Sequence, residues 1–257
     1  MENIILFIKS YRGDLERCVA LTESIVKFNR DNIPLYISVP TDDIKLFKER
    51  IPSNTNIIPD NTITSNSEGW VGQQLVKSKV YKLDLCRFYV CLDSDVYFFK
   101  DFYIKDFLYS EDIPYMIMHE RDDFYEFVDR FPELQTYDVR AGHEAEYKSI
   151  MSHFGREGKI YHYGISPYIW DTKVWKWLDD EHNIEKLFEK HPNELKWYGE
   201  AALAMGTSMM PTSPLFKELH FGGQYQLYKQ MGWEEKHFHK QYMGMVMQSN
   251  WGAPLKY

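Results

Sequence analysis

Phe88-Tyr89-Val90-Cys91-Leu92-Asp93-Ser94-Asp95-Val96-Tyr97-Phe98-Phe99 is an apolar run, two carboxylates with a serine between them, and a second apolar run. A segment apolar at consecutive rather than alternate positions marks a strand covered on both faces, the habit of parallel sheets. Asp93 and Asp95, two residues apart just past that strand, share one side of an extended backbone. Left alone they repel each other. A hard divalent cation, Mn2+ or Mg2+, removes the conflict and takes oxygen ligands readily. Its other coordination positions suit diphosphate oxygens, where charge builds as a bond to the diphosphate breaks. The plainer alternative is that the two aspartates only end a strand and cap a turn.

The residues before this segment alternate in type. Residues 4–8 read as a buried strand that ends in the polar stretch Lys9-Ser10-Tyr11-Arg12-Gly13-Asp14. Leu15, Val19, Thr22, Ile25 and Val26 recur at helical spacing, and residues 35–39 form a second strand. Thr41 is placed as the N-cap of a helix with Asp42 and Asp43 in its first turn, ending before Pro52. Residues 56–58 give a short third strand, and residues 71–85 a helix leading into the strand at 88–92. This order predicts an α/β fold with a mostly parallel central sheet flanked by helices. In such sheets ligands lie beyond the carboxyl ends of the strands, here residues 9–14 and 93–95.

The second half is less regular. Strands are expected at 114–118 and 163–170, and helices at 123–130, 144–154 and 172–178, with a loop at 138–142. Asn193 reads as the cap of a helix running to about residue 205. From Thr207 onward periodicity is weak. No repeat, low-complexity tract or linker interrupts the chain. One domain over 1–257 is expected, with a nucleotide-binding half at 1–100 and an acceptor-side half at 101–257.

The chain has 257 residues, 44% of them hydrophobic and 26% charged, with a net charge of −8. The negative balance argues against a nucleic-acid partner, whose binding needs a basic face. Cys18, Cys86 and Cys91 match no zinc spacing and read as buried reduced thiols, which fits a cytoplasmic setting. The apolar run Ile4-Ile5-Leu6-Phe7-Ile8 is too short for a signal peptide, and no integral membrane segment is expected.

The segment around Asp93-Ser94-Asp95 resembles the metal-binding Asp-X-Asp segment of GT-A (Rossmann-like) glycosyltransferases. Lys9-Ser10-Tyr11-Arg12-Gly13-Asp14-Leu15-Glu16-Arg17, followed by Ser24-Ile25, resembles the first strand and loop of a bacterial and viral family of such enzymes. The resemblance implies that Lys9, Ser10, Tyr11, Arg12 and Asp14 contact the nucleoside. Gly69-Trp70-Val71-Gly72-Gln73-Gln74-Leu75-Val76-Lys77 is similar to the helix that precedes the acidic motif there. It implies donor contacts from Gln73, Gln74 and Lys77, with Lys79 as the alternative cation. His220-Phe221-Gly222-Gly223 is similar to the His-Phe-X-Gly segment of glycogenin-like transferases, whose histidine completes the metal shell, although the Lys-Pro-Trp that follows there is absent here. The implied metal set is Asp93, Asp95 and His220, with Asp93 and Ser94 also placed at the donor. Asp93 binds either the metal or sugar hydroxyls.

The implied activity moves a sugar from a nucleotide-diphosphate sugar, UDP-sugar favoured, to a glycan or other hydroxyl acceptor, as in polysaccharide biosynthesis. An inverting enzyme needs a base on the acceptor side. Glu194 is preferred because Asn193-Glu194-Leu195-Lys196-Trp197-Tyr198-Gly199 resembles a family pattern with an acid there, and Glu200 and Asp171 are the alternatives. His237 and His239 carry less weight. Trp170, Trp175, Trp177 and Trp197 suit either an acceptor platform or the core. Two other readings compete. A nucleotidyltransferase would use a Gly-rich basic loop after strand one, where this chain has a single glycine. A non-catalytic carbohydrate-binding protein would leave the acidic pair without a purpose.

Overall fold

A computed structural model describes residues 1–120, 122–132 and 139–257. The first hundred residues run β1 (Glu2–Lys9), α1 (Leu15–Phe28), β2 (Leu35–Val39), α2 (Ile44–Arg50), β3 (Asn56–Pro59), α3 (Gly69–Ser78), β4 (Cys86–Leu92) and β5 (Val96–Phe98). They continue through β6 (Leu108–Ser110), β7 (Ile113–Ile117), α4 (Asp122–Arg130), α5 (Val139–His153) and β8 (Tyr168–Asp171). Last come α6 (Thr172–His182), α7 (Ile184–Lys190), α8 (Glu194–Met205), β9 (Met210–Thr212), β10 (Phe216–Leu219), α9 (Gly222–Gln230), α10 (Glu235–Phe238) and β11 (Gly244–Met247). The architecture is mixed α/β, with three sheets among the described residues.

The main sheet has the order β3-β2-β1-β4-β8. The pairs β1–β2, β1–β4 and β2–β3 are parallel, and β8 closes the edge antiparallel to β4. Its apolar strands separate by the pleat. Ile4, Leu6, Ile8, Phe88, Val90 and Leu92 face a core completed by Leu15, Cys18, Leu21 and Ile25 of α1 and Phe47 of α2. Ile5, Phe7, Tyr89 and Cys91 face the opposite core with Leu75 and Val76 of α3, Trp170, Trp175, Trp197 and Tyr198. The two faces are covered by different helices, which is why residues 4–8 of β1 and 88–92 of β4 are apolar without a break.

At Asp93 the chain leaves this sheet. Past Asp95, β5 pairs antiparallel with β11, itself parallel to β10. The Met247 amide donates to the Asp95 carbonyl at 2.8 Å, so the acidic pair sits at the seam between two sheets. The third sheet joins β6, β7 and β9.

Several expectations need correction. Thr41 is not a helix cap: Thr41–Asp43 is a 3₁₀ turn and α2 begins at Ile44, because the buried Asp43 carboxylate is taken by Arg12. The helix expected over 71–85 stops at Ser78, and a separate 3₁₀ turn, Val80–Leu83, follows. The strand expected over 163–170 shrinks to β8. Residues 139–142, expected as loop, open α5, and Asp138 lies outside the described residues. The tail after Thr207 is ordered into β9 to β11, whose short strands carry too few residues to show a period. Asn193 does cap α8, its side chain accepting from the Lys196 amide at 3.3 Å.

Candidate functional site

The strand end at Leu92 delivers Asp93 into a buried network. Lys77, one of the last residues of α3, donates from Nζ to Asp93 Oδ1 at 2.5 Å and to Glu194 Oε1 at 3.0 Å. Tyr168 at the start of β8 donates its hydroxyl to Asp93 Oδ2 at 2.9 Å. Both Asp93 oxygens are therefore held by the protein. Burial works against a charge on Lys77, but the carboxylates of Asp93 and Glu194 outweigh it and lift its pKa well above the usual value. Burial and then the Asp93 charge push the Tyr168 phenol up as well, so it stays a donor. Ser94 turns the other way, its hydroxyl donating to Ser10 Oγ at 2.9 Å, which ties the acidic motif to the end of β1.

These groups line a cleft of 430 Å³ whose wall also includes Asp14, Asp95, Glu218, His220, Gln248 and Ser249. A second cavity of 570 Å³ adjoins it, lined by Tyr11, Thr41, Asp42, Asp60, Asn61 and Glu68 among others. Lys9, Trp70 and Gln73 line both, so the two form one groove across the ends of β1, β3 and β4. Its floor is built from a second buried ion pair. Lys9 Nζ lies 2.9 Å from Asp60 Oδ2, and the Ser38 hydroxyl donates to Asp60 Oδ1 at 2.6 Å. Burial pulls the Lys9 pKa down despite the Asp60 carboxylate. Trp70, 65% exposed, stands over the junction. A close approach fixes its helix: a Cβ on Gly72 would fall 2.2 Å from the Ser67 backbone carbon, so only glycine lets the preceding loop fold back on α3.

Asp95 is bound differently from Asp93. Among the described residues its side chain is hydrogen-bonded to Ser249, whose amide donates to Oδ2 at 2.9 Å. Burial, then the charge of Asp93, push its carboxyl up to about 6. Asp14 is raised by the same two influences, against Arg17. Among the described residues no three His, Cys, Asp or Glu side chains form a ready metal cage. The donor chemistry suits a cation shared with a ligand: Asp95 keeps a carboxylate tied to one partner, and His220 and Glu218 line the same wall, 3.2 Å apart at Nδ1 and Oε1. A hard divalent ion held by few protein oxygens and completed by phosphate oxygens fits that set. Asp93, with both oxygens engaged, is in this arrangement a holder of Lys77 rather than a metal ligand.

The expected residues divide accordingly. Lys9, Asp14, Gln73, Lys77, Asp93, Ser94, Asp95, Glu194 and His220 come together at the cleft, and Tyr11 at the adjoining cavity. Ser10 lies behind the wall as the partner of Ser94. Glu200 does not belong there. It is 1% exposed and held by Arg156 at 2.5 and 2.6 Å and by the Tyr163 hydroxyl at 2.6 Å. Asp171 caps α6, accepting from the Lys173 amide, and is no base for the cleft. Gln74 is buried against α8, where Oε1 accepts from the Glu194 amide at 3.0 Å. Arg12 binds Asp43, and Lys79 pairs with Glu185 at 2.5 Å. Trp170, Trp175 and Trp197 are core, as the aromatic clustering on the second face requires. Trp177 packs partly buried at the edge of that core. His237 bonds the Glu234 amide and His239 stacks on Phe99, both away from the cleft.

Trp70, Tyr168, Glu218, Gln248 and Ser249 also line the cleft, and no role was expected of them from the sequence. For Trp70 a signal existed: a bulky aromatic just after Gly69, within the segment already compared with donor-binding helices. Ser249 had none, because it reaches Asp95 across 154 positions.

The cysteines are buried free thiols, with Cys18 and Cys86 pushed up by burial to about 12. No helix among the described residues is long and apolar enough to cross a membrane. Residues 3–243 match the model of a family of unknown function, DUF6492, and the chain belongs to that family. No curated protein matches the chain.

Proposed function

We propose that this chain is a metal-dependent GT-A glycosyltransferase, one domain over residues 1–257, that moves a sugar from a nucleoside-diphosphate sugar to a glycan or other hydroxyl acceptor. The observation that carries the reading is the groove: two adjoining cavities share Lys9, Trp70 and Gln73, and the acidic pair lies in one of them at the carboxyl end of a buried parallel strand. A nucleoside suits the cavity at the ends of β1 and β3, the diphosphate the junction, and the sugar the cleft by Asp95. The preference for uridine comes from the sequence resemblance.

Held by Asp95, with His220 and Glu218 beside it, Mn2+ or Mg2+ would supply positive charge to the departing diphosphate. The chain's own residues do the rest. Lys77 fixes Asp93 and Glu194 at a set separation, which presents Asp93 to sugar hydroxyls and Glu194 to the acceptor. With Glu200 and Asp171 engaged elsewhere, Glu194 is the candidate to take the acceptor hydroxyl's proton, placed there by the Asn193 cap and by Gln74. Tyr168 and Ser166 hold the Asp93 side chain and backbone, so the acid does not follow the donor as it moves.

The test is a melting-temperature panel of UDP, GDP and dTDP with manganese or with chelator, followed by donor hydrolysis in wild type and D95N. The reading expects stabilisation by a nucleoside diphosphate only with metal, and release of nucleoside diphosphate that D95N abolishes while remaining folded. Equal stabilisation in chelator, or undiminished turnover in D95N, would refute it. Release of pyrophosphate would point instead to nucleotidyl transfer.

A further inference from the structure

Helices α5 and α6 both pack on α8, and their last residues meet. His153 closes α5 and His182 closes α6, with His153 Nε2 lying 3.0 Å from His182 Nδ1. From this pair we infer a transition-metal site outside the cleft, which takes Zn2+ or an ion of similar softness between the two imidazoles.

The spacing is close to that of a chelate. Two nitrogens bound to one tetrahedral zinc at about 2.0–2.1 Å stand about 3.3 Å apart, so the pair has to open by only about 0.3 Å. The ring centres are 5.0 Å apart, so the two nitrogens face each other across the gap. Without metal they share one hydrogen bond, which uses one N–H and one lone pair. To bind an ion the donor ring takes up its other tautomer, its proton passing through water to the outer nitrogen, and no proton is lost. His153 is exposed and His182 half-buried, so an ion reaches them from solvent.

The surroundings favour the ion. Burial, then His182 and Lys190, hold the His153 pKa below its ordinary value, so that ring stays neutral, as a metal ligand must. The Lys190 charge also opposes a cation. Working against it are the negative ends of two helix dipoles, since both histidines end helices, of 15 and 11 residues. Phe154, Trp177 and Trp197 stand around the pair at ring distances of 4.9 to 5.3 Å, which limits the rotamer freedom lost on binding. No third His, Cys, Asp or Glu joins the group among the described residues, so water completes the shell. Imidazole nitrogen suits zinc, copper and nickel, whereas Mn2+ and Mg2+ prefer oxygen ligands. A bound ion would tie α5, whose His143 and Tyr147 line the cleft, to α6, whose Val174, Trp175 and Leu178 sit in the core. The inference does not depend on the transfer reading.

The experiment is calorimetric titration of the untagged whole chain with zinc sulfate and with magnesium sulfate. D95N serves as the background, because it removes the proposed catalytic cation site, and D95N/H153Q and D95N/H182Q are compared with it. Zinc should bind D95N and magnesium should not. Each histidine substitution should weaken zinc by about tenfold or more, because a chelate needs both rings. At ten times the measured Kd, zinc should raise Tm by about 3–5 °C in D95N and leave both double variants unmoved. At this exposed pair, both double variants should keep a metal-free Tm within about 1–2 °C of D95N. The inference is overturned if D95N takes up no zinc, or if magnesium binds as well as zinc does. Zinc affinity that survives either substitution overturns it too, since a lone imidazole or another surface group would then be the ligand.

Discussion

Replacing Asp95 with Asn should make the metal-free protein more stable while destroying its metal response. Burial and the neighbouring Asp93 raise the Asp95 carboxyl from 3.8 to about 6, so the folded state binds its proton more tightly than the unfolded state does. An acid raised in this way destabilises the fold once ionised: the penalty is absent below about pH 4, grows to about pH 6 and is constant above. A rise of that size corresponds to about 3 kcal/mol at most. The side chain is only half-buried, so solvent screening brings the expected figure to about 1 kcal/mol. Asn keeps the size and an acceptor oxygen for the Ser249 amide, and loses the charge. At pH 8 in chelator D95N should therefore melt about 2–4 °C above wild type. At pH 4 the difference should vanish. With manganese and a nucleoside diphosphate the order should invert, because only the wild type gains. A D95N variant less stable at pH 8, or one with the same advantage at pH 4 and pH 8, would refute the argument.

Lys77→Met leaves the half-buried Asp93 and the buried Glu194 side by side without their cation and should cost about 3 kcal/mol in urea unfolding. Adding Glu194→Gln should recover part of that, and a double variant no better than K77M would show that the pair does not share Lys77 energetically. Gly199→Ala would place a Cβ 2.1 Å from the Tyr163 ring, whose hydroxyl holds Glu200, and should destabilise by about 1–3 kcal/mol or more. A wild-type midpoint in that variant would show that the tyrosine moves freely. Trp70→Ala should leave unfolding within about 0.5 kcal/mol, since the ring is exposed. Nucleotide binding should fall about tenfold in the same variant if the ring stacks on the donor, and an unchanged Kd removes Trp70 from the site. Native protein should show no rapid thiol reaction with an aromatic disulfide reagent and three thiols after unfolding, so that a fast-reacting native thiol would contradict the buried cysteines.

The sheet's centre was legible because its cause is local. Ile4 to Ile8 and Phe88 to Leu92 are apolar without alternation, and only a strand covered twice needs that pattern. The α8 cap was legible for the same reason, as Asn193 bonds a group three residues away. Thr41 misled because Asp43, apparently a helix-end acid, answers to Arg12 on another loop. The β5, β10 and β11 sheet was invisible because it joins residues near 97 to residues near 245, and strands of three or four residues show no period of their own.

For the site, the sequence supplied the acids but not which were already spent. Glu200 and Glu194 look alike in the string. Arg156 neutralises the first and the Tyr163 hydroxyl donates to it, whereas the second reaches Lys77 from 117 positions away and lines the cleft. The same accounting extends along the groove. Lys9 answers to Asp60, Lys77 to Asp93 and Glu194, and the Arg17 guanidinium donates to the carbonyls of Met247 and Ala253. The basic groups nearest the acidic wall are thus committed, and the two carboxyls there that burial raises, Asp14 and Asp95, are also the ones that feel Asp93 most directly. Such a wall is stable with a proton or with a cation. On the proposed reading a cation at Asp95 would take the place of that proton at neutral pH, and a diphosphate would then have an electrostatic reason to enter a cleft that otherwise repels it.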